Sequence, residues 1–142
     1  LKNNTELIKN LKIETEIARG NIEKYSSKNG NIWLGDLTSI SDKTAEIISK
    51  RRNAYSVFLN GLTSISDEAV KSLSKMTGTG KIVLSGLTDL SDQAAESLSK
   101  FKGDIVLTGL TAISDQAAQS LSKHRGYLHI NDAIDKQINK FK

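Results

Sequence analysis

The chain has 142 residues, 37% hydrophobic and only 5% aromatic, which is one domain's worth of sequence with a core built from small aliphatic side chains. Twenty Lys and Arg against 16 Asp and Glu leave a net charge of +4, spread along the chain with no basic arm of the kind that binds nucleic acid. The lack of Cys excludes disulfides, thiolate metal sites and Cys nucleophiles, and no apolar run reaches the roughly 18 residues of a membrane helix. The sequence starts at Leu1 without a Met, which allows a removed leader, so the compartment is open, with secretion or the cell surface slightly favoured over the cytoplasm.

Residues 1-30 come first. From 5 to 27 the pattern is helix-like, with Leu7, Leu11, Ile17, Ile22 and Tyr25 as candidate inward residues and Gly20 as an interruption. Two short helices fit, and so does a degenerate extra repeat with Leu11-Lys12-Ile13 as its strand. Either makes this segment an N-terminal cap.

From residue 31 the chain repeats itself. Ile32-Trp33-Leu34, Val57-Phe58-Leu59, Ile82-Val83-Leu84 and Ile105-Val106-Leu107 are equivalent triplets, and their last leucines recur at intervals of 25, 25 and 23. The expected units are 31-55, 56-80, 81-103 and 104-127. A further step reaches Ile130 in Leu128-His129-Ile130, so 128-142 reads as a truncated strand and a capping helix with Ile134, Ile138 and Phe141 at helical spacing, opened by Asn131 or Asp132.

Each unit divides in the same way. The triplet is a short strand with its outer two side chains inward. Gly61, Gly86 and Gly109 follow, with Asp36 in the equivalent place, and are expected to turn the backbone with positive φ. Leu37/Leu62/Leu87/Leu110 and Ile40/Ile65/Leu90/Ile113 point back to the core. Ser41, Ser66, Ser91 and Ser114 are N-caps, each with a following Asp at the positive helix end. Ala45/Val70/Ala95/Ala118 and Ile48/Leu73/Leu98/Leu121 form the apolar helix face, and Lys50, Lys75, Lys100 and Lys123 close the helices.

The string L-x-x-L-T-x-I-S-D-x-A-x-x-x-L after a strand triplet resembles leucine-rich repeats of the helix-bearing type, including degenerate bacterial ones, over roughly residues 31 to 130. The resemblance implies an α/β leucine-rich-repeat-like solenoid, with short parallel strands on the concave side, short helices on the convex side and terminal helical caps. It also implies binding, mostly of proteins, by the strand surface. The usual Asn or Cys after the strand is replaced by Gly or Asp, which puts the asparagine ladder of such repeats in doubt.

On the concave face the middle triplet residues Trp33, Phe58, Val83, Val106 and His129 stand about 4.8 Å apart from strand to strand, flanked by Asn60, Lys81 and Tyr127 among others. Two large aromatics beside two valines make a candidate partner-binding patch. The bland explanation is strand propensity, or a cover from the N-terminal segment or a second chain. The Asp42/Asp67/Asp92/Asp115 ladder is explained by helix dipoles better than by calcium, so no metal or cofactor is expected. Lys50, Arg51, Arg52, Lys75, Lys100, Lys102, Lys123 and Arg125 share one edge at the helix ends. Gly78-Thr79-Gly80-Lys81 lacks the remaining elements of a phosphate loop, and neither His124 nor His129 has metal-ligand spacing, so no enzyme is expected. The leading expectation is a module for protein–protein interaction. The alternatives are a spacer segment of a larger secreted or surface protein and weak nucleic-acid binding along the basic edge. The partner's identity is open, and self-association is allowed.

Overall fold

A computed structural model of the chain describes residues 4–52, 54–78 and 80–142. It is an α/β structure with one open sheet of five parallel strands, β1 Ile32–Trp33, β2 Val57–Phe58, β3 Lys81–Val83, β4 Asp104–Val106 and β5 Leu128–His129, stacked in sequence order. The helices are α1 Asn4–Ala18, α2 Asp42–Ser49, α3 Asp67–Leu73, α4 Asp92–Ser99, α5 Asp115–Leu121 and α6 Asp132–Asn139, with a 3-10 turn at Ile22–Tyr25. The pairings Ile32↔Val57↔Ile82↔Ile105↔Leu128 place equivalent positions of successive units side by side.

Strands of two or three residues cannot hold themselves, so the core is made by the ladders around them. Ile32, Val57, Ile82 and Ile105 are fully buried, as are Leu59, Leu84 and Leu107, and the ladder Leu37/Leu62/Leu87/Leu110 is at most 1% exposed. The helices add Ala45/Val70/Ala95/Ala118 and Ile48/Leu73/Leu98/Leu121, and also the preceding Thr44/Ala69/Ala94/Ala117, so the buried stripe is wider than the expected one. Another unforeseen ladder sits at the corner after each helix, where Met76 and Phe101 are buried and Arg51 and His124 half-buried.

The N-caps are as expected. Ser41, Ser66, Ser91 and Ser114 accept from the backbone N–H three residues on, and Asn131, rather than Asp132, does so for α6. Three of the serine hydroxyls also donate across to the previous unit: Ser66 to Asp42, Ser91 to Asp67 and Ser114 to Asp92. The Asp after the cap therefore serves its own helix dipole and the next unit's cap together. Both terminal helices join this ladder. Glu14 of α1 accepts from the Ser41 hydroxyl at 2.7 Å, and Gln137 of α6 donates to Asp115 at 3.1 Å.

Two expectations are corrected. Leu11-Lys12-Ile13 is part of α1, not a strand, and Leu7 and Leu11 are 58% and 66% exposed instead of inward. The reason is polar. Asn10 is buried, donating to Thr38 Oγ1 at 2.8 Å and accepting from the Thr38 N–H, while Glu14 binds Ser41. Together with Ile13 and Ile17 they make an i, i+3, i+4, i+7 stripe that leaves Ile8 and Leu11 off it. Ile17 and Ile22 are inward, and Tyr25 partly so.

The second correction concerns the glycines. Among the described residues only Gly20 and Gly30 have positive φ, so neither Gly61, Gly86 and Gly109 nor Asp36 makes a left-handed turn. What selects glycine is proximity. A Cβ on Gly86 would lie 2.5 Å from both the Asn60 and Leu62 carbonyl oxygens, and Gly61 and Gly109 face the same obstruction one unit away. Gly86→Ala is therefore expected to lower stability by about 1–3 kcal/mol in urea denaturation, as overpacking does. Gly35, whose added Cβ meets nothing within 4 Å, should tolerate Ala with no such loss.

Candidate functional site

The sheet face turned away from the core carries Trp33, Phe58, Val83, Val106 and His129 in one row across β1 to β5, as their register requires. They do not form one continuous exposed patch. Trp33 is 52% exposed and its ring stacks on Phe58 with centroids 3.9 Å apart and planes 10° from parallel. Phe58 is half-buried beneath that stack. Val83, expected to be exposed, is only 8% so, because a short side chain in the central strand is closed in by Phe58 on β2 and Val106 on β4. Val106 is half-buried.

At the far end His129 stacks on Tyr127, with centroids 4.8 Å apart, and Tyr127 is 69% exposed. The face thus holds two aromatic stations separated by valines. Asn60 and Lys81 are exposed beside the row. Residues at the strand starts have a structural task that periodicity does not reveal: Ser56, just before β2, accepts the Lys81 N–H on its Oγ at 2.9 Å, and Asp104, the first residue of β4, accepts the Tyr127 N–H on its Oδ1 at 3.0 Å. Ser56 is buried for this purpose and offers nothing to a ligand.

Next to the second station, Thr108, Tyr127, Leu128, His129, Ile130, Asp132 and Asp135 line an open groove of about 380 Å³. Leu128 and Ile130 are half-buried here, whereas their equivalents in the preceding units are buried. The rule that made them inward was right; what is missing is a neighbour. Among the described residues the other large exposed apolar features are Tyr55, 50% exposed, the outward side of α1 with Leu7, Ile8 and Leu11, and Phe141, which lies beyond the end of α6 and is 37% exposed instead of joining Ile134 and Ile138 on the capping face.

The basic edge is partly satisfied within the chain. Arg51 Nη2 lies 2.6 Å from Glu23, Lys50 3.0 Å from Glu46 and Lys100 3.8 Å from Glu96. Lys75, Lys102, Lys123, Arg52 and Arg125 are exposed. The Asp42/Asp67/Asp92/Asp115 ladder is engaged with the serine and glutamine donors, and among the described residues no three His, Asp or Glu converge as a metal site would. No described helix is long and apolar enough to cross a membrane. Compared with known protein families and with curated proteins, the sequence has no significant match.

Among the described residues, His124 is the group whose titration is displaced chiefly by burial. His124 fills the corner position that Phe101 holds one unit earlier, and among the described residues neither of its ring nitrogens has a hydrogen-bond partner in good geometry. Desolvation holds its pKa below the ordinary 6.5, against a weaker pull upward from the backbone of Ser99 and Gly103 and from Asp104. Below pH 6.5 the unfolded chain then binds a proton that the folded one resists, so stability is full above 6.5 and falls as the pH drops through that value. Thermal melts between pH 8 and 5 should show this slope, and His124→Phe should flatten it. An unchanged slope in the variant would assign the dependence to other groups.

Proposed function

We propose that this chain is a leucine-rich-repeat-like solenoid of the helix-bearing type, with α1 and α6 as caps, that binds a protein on its concave strand face and has no catalytic role. The unit supports the family reading: a strand triplet, a glycine step, an inward leucine, then a Ser-Asp helix start, repeated in register. The asparagine ladder of that family is absent from it, and the Ser–Asp ladder between helix starts supplies the tie between units instead.

The observation that carries the binding reading is the Trp33–Phe58 stack. A tryptophan held rigid by a stacked partner, half exposed beside Asn60, offers large apolar area at little cost in side-chain freedom, which is what anchors of protein interfaces require. Two histidines far apart in role, one buried at a corner and one stacked on Tyr127, supply no acid–base pair to support catalysis.

The test uses the sole tryptophan. Trp33 emission should lie close to that of free tryptophan and stay there on dilution. Emission that is blue-shifted at every concentration means the stack is covered within the chain, and the reading fails. The double variant Trp33→Ser, Phe58→Ser should fold normally by circular dichroism yet lose the proteins that the parent chain retains from a cell extract. An unchanged retained set would count against the face.

A further inference from the structure

The two ends of the sheet are finished differently. At β1 the outer edge is occupied: Ser26 bridges Ile32 in antiparallel fashion and the Ser27 N–H donates to the Asn31 carbonyl at 2.8 Å. At β5, among the described residues, only the inner edge is used. The Tyr127 and His129 carbonyls accept from Ile105 and Leu107 at 2.9 and 2.8 Å, so the alternation of a parallel ladder turns the N–H and C=O of Leu128 to the outside. An open strand edge with half-covered apolar residues beside it is a surface built for another strand.

The charges along that edge say which strand. Basic residues precede β5, with Lys123 and Arg125 exposed, and acidic residues follow it, with Asp132 and Asp135 exposed. None of the four is in an ion pair among the described residues. A sequence that runs from basic to acidic across a strand is complementary to itself when the partner runs antiparallel. We infer that β5 pairs with β5 of a second copy of this chain, Leu128 opposite Ile130, which sets Arg125 of each copy beside Asp132 of the other and joins the two sheets into one of ten strands. Leu128 and Ile130 are then covered as their equivalents are. Because the same patch serves both copies and the β1 end is occupied, the assembly closes at two.

Sedimentation of the intact chain over a concentration series tests this, with the salt varied. The expected result is a dimer that dissociates on dilution and weakens as salt rises. Arg125→Asp should make the protein monomeric at concentrations where the parent is dimeric. The swap Arg125→Asp, Asp132→Arg should restore the dimer. Both residues are exposed, so folding is retained and circular dichroism verifies it. Trp33 emission should not move with dissociation, because the pairing lies at the other end of the sheet. A protein that is monomeric at every concentration overturns the inference. So does a dimer indifferent to Arg125→Asp, and so does one that is lost on Trp33→Ser or on Leu11→Glu, which would place the contact on the strand face or on α1. Failure here leaves the binding role of the Trp33–Phe58 stack standing, since that rests on other residues and another measurement.

Discussion

The whole structure depends on how closely successive units approach. Parallel strands of two or three residues bond only if their backbones lie at hydrogen-bonding distance, and the glycines beside them show the consequence. Gly61, Gly86 and Gly109 lie so near the carbonyl oxygens of the preceding unit that no side chain fits. Gly103 and Gly126 are similarly hemmed by the backbone on the other side of the strand. Once that spacing is set, the leucine and isoleucine ladders fall into contact, and the Asp of one helix start meets the Ser of the next. The inter-unit bond satisfies a donor that would otherwise go to water, at a net gain of about 1 kcal/mol each. Its larger effect is on register, since a serine shifted by one residue would meet no carboxylate.

How much of this can be read in the sequence varies with the kind of interaction. The strands, the inward ladders and the N-cap serines follow from short-range rules of period and capping, and these hold in every unit because the units repeat. The glycines show where such reading misleads. Their positions are visible, but a local rule assigns them to a turn, while the cause is a pair of carbonyl oxygens in the preceding unit. Likewise the serine–aspartate pairs are visible as two columns but not as bonds between neighbours. In α1 the apolar spacing of Leu7 and Leu11 points inward, and two polar residues overrule it, because Asn10 and Glu14 have definite partners at Thr38 and Ser41. Hydrophobic pattern cannot anticipate a helix face chosen by hydrogen bonds.

The candidate surface shows the same division. Alternation along a strand places Trp33, Phe58, Val83, Val106 and His129 on one face, and they are there. Which of them a partner could touch depends on what stands on either side. Phe58 lies under Trp33 and Val83 is closed in by its neighbours, so the accessible chemistry gathers at the first and last strands. Tyr127, a residue of the turn into β5, becomes prominent only because the sheet stops there. The two ends differ because one strand edge has a bridge from Ser26 and the other does not, a distinction carried by irregular segments that no repeat pattern describes.

The Ser–Asp ladder also bears on how such a chain can change. Every unit contributes one hydroxyl toward its predecessor and one carboxylate toward its successor, and the terminal helices speak the same language through Glu14 and Gln137. A duplicated unit of 23 or 25 residues would arrive with both halves of its connection, and a deleted one would leave its neighbours able to join. Gene-level gain or loss of whole units is thus structurally neutral at the junctions, and the column also absorbs a change of unit length, since Ser91 reaches Asp67 across 24 residues and Ser114 reaches Asp92 across 22.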